Sequence, residues 1–438
     1  MNASPTCPAS SRRTSLSACA ELVADASQHS CQDTSAEGAE SAEREAELDE
    51  LFADLSDQRH TVLPISSEER ATRRARLGQL LADSDRDALV VETSATMEYL
   101  TGITWSRSER LFALVVLADG SIFWVCPAFE AARARLGIDA PDGPGGEVIA
   151  WDEHEYAFAP LAAELNRRRA TRICIEPSMR YTFVGGLAEA LGQDPAPAAR
   201  ALVTELRGRK DAHEVAIMRR ANELTQEAII AASRHIQAGL TGDEIGRLVR
   251  HAHQRLGLTG HWDLSLIGPA AAYPHGENRN TVLKRGDAIL IDTGGALHGY
   301  QSDNTRSWVF DAEPTERQAT VWHAVRDSQR AAFDAIAPGV IAGDVDRVAR
   351  TSLEACGLTR GYSTFTHRLG HGIGMEGHED PYFDGGSEVI LASGMTLSLE
   401  PGIYLQGELG IRIEDIIAVT EEGVTAFGDW QRGPHSPE

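Results

Sequence analysis

Apolar and polar positions change their period several times along the chain, and each change marks an element. Ser66 and Glu69 stand ahead of an apolar run with helical spacing, the pattern of a capping box, and predict a helix to about Asp83. The next runs are short and apolar. DALVVET (87–93), LFALVVLADG (111–120) and SIFWVCP (121–127) predict strands, the last two joined by a hairpin turn at Ala-Asp-Gly-Ser. Helical patterns near 128–136, 156–169 and 180–191 then alternate with strands at 147–152 and 171–177, which makes the first ordered domain α/β with a mixed sheet. A long helix over roughly 211–237, capped by Asp211 and Glu214 and followed by Gly239, opens a second domain. Residues 1–48 are rich in Ser, Ala, Glu and Thr without periodicity and are expected to be disordered. The expected division is a tail at 1–48, one domain at 60–205 and another at 206–433.

The second domain echoes itself. GLTGDEIGRLVRHAHQRLGL (239–258) and GVIAGDVDRVARTSLEACGL (339–358) both begin Gly-aliphatic, carry Gly-Asp at the start of a helix and end Gly-Leu. Each follows a long helix. This predicts a duplicated α/β unit with pseudo-two-fold symmetry.

Composition narrows the field of partners. A chain of 438 residues suits two domains, and 42% hydrophobic with 24% charged residues is ordinary for a globular protein. The net charge of −24 argues against nucleic acid or an anionic membrane as partner. No apolar run reaches the roughly 18 residues of a membrane span. Arg12-Arg13 lacks the apolar core that an export signal needs after it. Cys126, Cys174 and Cys356 sit in apolar contexts without a disulfide framework, which predicts buried free thiols and a cytoplasmic setting.

Candidate chemistry lies in the strands of the second domain. GDAILIDTGG (286–295) carries Asp292 and GYQSDNTRSWVF (299–310) carries Asp303, while MTLSLEPGIYL (395–405) and LGIRIEDIIAVT (409–420) carry Glu400 and Glu414. Burying an unpaired ionised carboxylate costs several kcal/mol or more. Arg306 and Arg412 are the only strand arginines nearby, too few to balance four acids. A pair of divalent cations solves the charge problem. Bridging carboxylates can hold such a pair about 3.5–4 Å apart. Oxygen-rich donors favour a hard ion, Mn2+ first, with Zn2+ or Co2+ as alternatives. HRLGHGIGMEGHEDP (367–381) adds three imidazoles, and Gly370, Gly372 and Gly374 are expected to let the backbone turn tightly beside the ions. Strand alternation puts Arg412 on the same side as Glu414, where it can orient an acidic ligand or hold a substrate anion.

These residues resemble the metallopeptidases of the pita-bread fold: prolidase, aminopeptidase P, methionine aminopeptidase and the non-peptidase creatinase. His367-x-x-x-His371-Gly-Ile-Gly-x-x-x-His378-Glu-Asp-Pro resembles the prolidase signature, with Glu400-Pro-Gly-Ile-Tyr404 and Arg412-Ile-Glu414-Asp as its companions. The resemblance covers roughly 68–425. It implies a creatinase-like N-terminal domain, with TMEYLTGITW (96–105) as its clearest segment, ahead of a pita-bread catalytic domain. That N-terminal domain argues against methionine aminopeptidase. It implies Asp292, Asp303, His371, Glu400 and Glu414 as ligands of two divalent ions. His275 and His378 would contact the substrate carbonyl and the scissile amide, and His367 would line the site beyond the scissile bond. An intact ligand set disfavours the creatinase branch. Gly377 stands where a branched aliphatic is usual and Asn304 where an apolar residue is common, and both are expected to reshape the pocket.

The implied activity is metal-assisted hydrolysis before proline, with Glu400 as general base and His275 and His378 at the oxyanion. His367 and Tyr404 would shape the proline pocket. A dipeptidase would also need a cation for the free C-terminal carboxylate of its substrate: Arg412, Arg368 or Arg360. The short gap from Glu400 to Glu414 is nearer to compact prolidases, so Xaa-Pro dipeptidase leads and aminopeptidase P is the alternative. Lyase chemistry on small sulfonium compounds and a non-catalytic binding protein are more distant readings. A homodimer is the assembly that the resemblance implies.

Overall fold

In the first sheet, strands Glu147–Trp151, Ile122–Pro127, Ala113–Leu117, Ala88–Glu92 and Ile173–Ile175 lie side by side in that order. The two outer pairings are parallel and the inner ones antiparallel, so the sheet is mixed as the sequence predicts. These strands read as continuous apolar runs because both faces are covered. Leu89, Val91, Leu114, Val116 and Trp124 pack on one face with Leu77, Leu81, Met97 and Ile138. Val90, Val115, Phe123, Val125 and Ile173 pack on the other with Leu161, Leu165, Phe183 and Leu187. The computed structural model describes residue 43 and residues 45–195, 199–277 and 280–438. The tail expected at 1–48 lies outside those residues except at its end, where residues 45–50 are helical.

The Ser66 capping box forms as read: the Ser66 amide donates to Glu69 Oε2 at 2.7 Å, and the Glu69 amide donates to Ser66 Oγ at 3.2 Å. Asp211 and Glu214 cap the helix Ala212–Ser233 in the same way. Helices Ala95–Thr101 and Ala199–Arg207 and the strand Thr259–Ile267 were not anticipated. Both helices are short, and the strand mixes Asp and Ser with its apolar positions. Cys126 and Cys174 are buried, whereas Cys356 is exposed because it caps the helix Ala342–Ala355 beyond that helix's buried face.

The second half repeats itself in its hydrogen bonds. The Gly239 amide donates to Leu283 O at 2.9 Å and Leu283 N to Leu240 O at 2.8 Å; Gly339 donates to Leu391 O and Leu391 to Val340 O, both at 2.8 Å. Gly239 and Gly339 take left-handed φ of 99° and 91°, and Gly286 and Gly394 take 88° and 89°. In each pair a side chain would be strained, so the glycine is required by the turn. Asp292 follows Gly286 at the same offset as Glu400 follows Gly394.

Two strands expected to be continuous are broken, and each break carries an acid. The run 395–405 splits at Glu400-Pro401 into Thr396–Leu399 and Gly402–Leu405, which belong to different sheets. The run 409–420 splits at Ile413-Glu414 into Leu409–Arg412, paired with Gly402–Leu405, and Asp415–Val419, paired with Thr396–Leu399. Proline lacks the amide a ladder needs, so Pro401 marks where the strand must change partner. Glu414 bridges instead to Thr305, its amide donating to Thr305 O at 3.0 Å, and so joins the two repeats at their centre.

Beside that junction Arg306 Nη2 meets Asp415 Oδ1 at 2.7 Å, with both side chains almost fully buried. Gln226 and Gln329, from the two long helices, also donate to Asp415, at 3.2 and 3.1 Å. Removing one partner of such a pair leaves an uncompensated charge. Arg306→Met is therefore expected to cost about 3–5 kcal/mol of unfolding free energy. Equilibrium urea unfolding checks this, and an unchanged midpoint would show that Asp415 is not the buried charge described.

Candidate metal centre

Four carboxylates and one imidazole converge where the two repeats meet. Asp292 comes from the strand Ala288–Leu297, Asp303 from the turn before Asn304–Val309, and Glu400 and Glu414 from the two strand breaks. His371 sits in the short strand Gly370–Gly372 and is 2% exposed. Its Nδ1 lies 3.1 Å from the Gly372 carbonyl, which fixes the proton on that nitrogen and leaves the Nε2 lone pair facing the acids. Nε2 is 3.7 Å from Asp303 Oδ2, 3.6 Å from Glu400 Oε1 and 3.8 Å from Glu414 Oε1. These separations are too long for hydrogen bonds.

Two groups of donor atoms fall within 4.8 Å of one another: His371, Glu400 and Glu414, and Asp292, Asp303 and Glu414. Glu414 is common to both. A third group joins Asp303 and His371 to His378, which the sequence reading had placed on substrate alone. Asp303 Oδ1 and Glu414 Oε1 are buried without any hydrogen-bond partner. Such atoms are costly unless something positive meets them. The donor set of carboxylate oxygens with one neutral imidazole nitrogen fits a pair of divalent cations.

The local electrostatics show the same strain. Burial, then repulsion from Glu414, Asp292 and Glu400, drives Asp303 well above the usual carboxylate range. Burial, with Glu400 and Asp292, does the same to Glu414. Burial pushes Glu400 up to about 8 despite the opposing pull of Arg412. His371 is pushed down to about 3 by burial and by His378. Without cations, this cluster is relieved by holding protons.

Arg412 is engaged on every nitrogen. Nη2 donates to Asp292 Oδ2 at 2.6 Å, Nε to Thr305 Oγ1 at 3.1 Å, and Nη1 to Tyr404 OH at 2.9 Å and Pro274 O at 3.1 Å. Of the two roles expected for it, orienting an acidic ligand is the one its contacts serve, and the acid is Asp292, not Glu414. Thr305, which sequence reasoning missed, donates its single hydroxyl proton between Asp292 Oδ1 at 2.9 Å and Glu414 Oε2 at 2.8 Å. Its position directly opposite Asp292 in the ladder is invisible without the strand register.

The remaining candidates ring this cluster. His367 Nε2 lies 2.7 Å from Tyr404 OH, so His367, Tyr404 and Arg412 form one chain. His378 packs its ring 3.7 Å from that of His371, and Arg368 Nη2 reaches His378 Nδ1 at 3.5 Å while stacking over Tyr382 at 4.1 Å. His275 is exposed on the loop whose Pro274 carbonyl Arg412 holds, and with Leu264 and Leu266 it lines a cavity of about 340 Å³. Among the described residues, Arg360 has no hydrogen bond or ion pair to this cluster, and its amide donates to Ser363 Oγ at 2.9 Å.

Two expectations change and one stands. Gly370 and Gly372 lie in a strand and do not turn the chain, whereas Gly374 stands at a bend, its amide donating to Glu376 O at 3.0 Å. All three clear close approaches: a Cβ would meet Ser398 O at 2.0 Å, Glu379 O at 2.4 Å and Glu379 Oε1 at 2.5 Å respectively. Asn304 does not shape the pocket; it is fully buried and donates to the Glu414 carbonyl at 3.4 Å. Gly377 does leave open space beside His378.

The fold and the site together define a peptidase of the metal-binding hydrolase class. Residues 216–421 match the model of metallopeptidase family M24, and residues 73–208 match the creatinase/prolidase N-terminal domain. The chain is 33% identical to the "Probable dipeptidase PepE" of Mycobacterium tuberculosis over 364 residues, spanning 82% of this chain and 94% of that one. The crystal structure of dipeptidase PepE from Mycobacterium ulcerans superposes with a TM-score of 0.78 at 31% identity, over 85% of this chain and 99% of that one. A prolidase from Thermococcus sibiricus superposes with a TM-score of 0.75 at 25% identity, over 82% and 97%. The chain belongs to metallopeptidase family M24, with a creatinase-type domain ahead of a pita-bread catalytic domain.

The proton-holding cluster sets a pH dependence. A carboxyl whose folded value is raised stabilises the fold below its unfolded value, and that contribution is lost as pH rises through the folded value. For Glu400 the window runs from 4.5 to about 8. His253, His367 and His371, each held down to about 3, act in the opposite sense but only below 6.5. Between about pH 7 and 8.5 the chelated protein should therefore lose thermal stability while the Mn2+-loaded protein does not follow it. Melting midpoints in chelator and in Mn2+ across that range check the sign; midpoints that stay parallel would contradict it.

Proposed function

We propose that this chain is an Xaa-Pro dipeptidase that holds two divalent ions, Mn2+ first, through Asp292, Asp303, His371, Glu400 and Glu414. The observation that carries this reading is the surround of His371 Nε2 by three carboxylate oxygens at 3.6–3.8 Å, with Asp303 Oδ1 and Glu414 Oε1 buried and unpartnered. Bound there, the ions would supply an activated water and polarise the scissile carbonyl. Glu400 is assigned to take the proton of that water while remaining a ligand. His378 and His275 take the scissile amide and the substrate carbonyl, one beside His371 and the other on the loop held by Arg412. The His367–Tyr404–Arg412 chain fixes the wall of the proline pocket. A proline nitrogen in peptide linkage carries no N–H, so this wall needs no acceptor for it.

Arg368 is the cation assigned here to the free carboxylate of a dipeptide. Its guanidinium stands beside His378, supported by Tyr382, whereas every nitrogen of Arg412 is already engaged. The tight hairpin between Gly402–Leu405 and Leu409–Arg412 supports the compact dipeptidase form. A cytoplasmic homodimer with a catalytic domain at 206–433 belongs to the same reading.

Released proline from Ala-Pro and released alanine from Ala-Pro-Ala, with Mn2+ or chelator, test it. Metal-dependent cleavage of the dipeptide is expected, abolished in Asp292→Ala and His371→Ala. Cleavage of the tripeptide instead would make the enzyme an aminopeptidase P. Arg368→Met should raise KM for Ala-Pro by about ten- to a hundred-fold with a smaller change in kcat, as loss of one charged contact predicts. Full activity in chelator, or in both ligand variants, would overturn the metal-dependent reading.

A further inference from the structure

Glu379 follows His378 directly and is used by none of the chemistry above. Its side chain is 9% exposed, yet both carboxylate oxygens meet cations at 2.6 Å: Oε1 with Lys210 Nζ and Oε2 with Arg207 Nη2. Against the upward pull of burial, these two cations hold Glu379 below the usual carboxylate range. Arg207 ends the helix Ala199–Arg207, and Lys210 lies in the segment that joins it to Ala212–Ser233. That segment is itself anchored, since the Lys210 amide donates to Gly394 O at 2.7 Å, on the turn that leads to Glu400. Arg207 Nη1 also donates to Thr96 Oγ1 at 2.9 Å in the first domain.

The signature glycines make room for this arrangement. A Cβ on Gly374 would lie 2.5 Å from Glu379 Oε1 and 2.9 Å from Lys210 Cε. Only two lysines occur among the 41 basic residues Lys and Arg, and one of them, Lys210, is here with its side chain 2% exposed. A compact ammonium fits a buried single-oxygen contact where the broad guanidinium fork would not. His378 itself is exposed, and among the described residues its ring nitrogen is approached by Arg368 Nη2 at 3.5 Å. Its neighbour Glu379 begins the strand Glu379–Phe383 and pairs there with Gly372, so the hold on Glu379 reaches the adjoining residue through the chain.

We propose that Lys210 and Arg207 are positioning residues for His378, acting through Glu379, so that the interdomain segment sets the placement of a substrate-contacting imidazole. This rests on the reading that His378 touches substrate. The interaction is a clamp on the peptide Glu379 belongs to, and its loss displaces the ring without removing a metal ligand.

The test is a double-mutant cycle in the metal-loaded full chain. Lys210→Met and Glu379→Gln are each expected to lower kcat on Ala-Pro by about ten- to a hundred-fold, with KM and metal content little changed. In a His378→Ala background each should cost less than about two-fold, because the imidazole they place is gone. The same ten-fold loss in both backgrounds, or no loss in either, overturns the clamp. Should Lys210→Met fail to fold, Lys210→Met with Glu379→Gln removes both charges and takes its place. If His378→Ala keeps full activity, or the wild type does not cleave Ala-Pro, the site reading fails separately. The clamp is then decided by the His378 ring resonance in the zinc-loaded protein. Lys210→Met must shift that signal while leaving surface His323 in place; an unmoved His378 signal overturns it.

Discussion

Mutual repulsion among buried acids governs this structure. Asp292, Asp303, Glu400 and Glu414 crowd one imidazole, and burial penalises the charges on Asp303, Glu400 and Glu414 before the neighbouring acids add to it. A fold can tolerate that arrangement only if protons or cations meet the charge. Arg412 and Thr305 relieve part of it by holding Asp292 and one oxygen of Glu414. The two orphaned oxygens on Asp303 and Glu414 mark what remains for a cation to do.

The duplicated architecture explains how so unfavourable a cluster is assembled. Each repeat supplies one acid a fixed distance beyond a left-handed glycine and a second at the start of the following strand. The contact between repeats, Thr305 with Glu414, then brings both pairs to one point. Beneath it, Arg306, Gln226 and Gln329 all donate to Asp415, so the floor of the site is polar without being open. Around it lie groups on less constrained elements: His275 on a loop, His378 and Arg368 at the rim. On the proposed reading the metal ligands stand on or beside strands, and the substrate contacts stand on a loop and at the rim.

Much of this was legible in the sequence because the signals were local. The capping boxes at Ser66 and Asp211, the runs 87–93 and 121–127, and the repeat at 239 and 339 are patterns within short windows. The acids stood out because Glu400 among leucines and Glu414 among isoleucines contradict their surroundings. What escaped were properties of pairing. The breaks at Glu400-Pro401 and Ile413-Glu414 depend on which sheet each half joins. The roles of Thr305 and Asn304 depend on register, and Gly370, Gly372 and Gly374 serve contacts with residues far along the chain or across a bulge. Strand alternation put Arg412 on the side of Glu414, and both do meet Thr305 Oγ1, but the acid that Arg412 holds directly is Asp292.

The central claim is that this acid cluster is a dinuclear metal site, and anomalous diffraction from crystals grown with Mn2+ tests it most directly. The account predicts two peaks per chain, one bounded by His371, Glu400 and Glu414 and the other by Asp292, Asp303 and Glu414, with Glu414 touching both. No peak within the cluster, with the acids instead paired through shared protons, would contradict it.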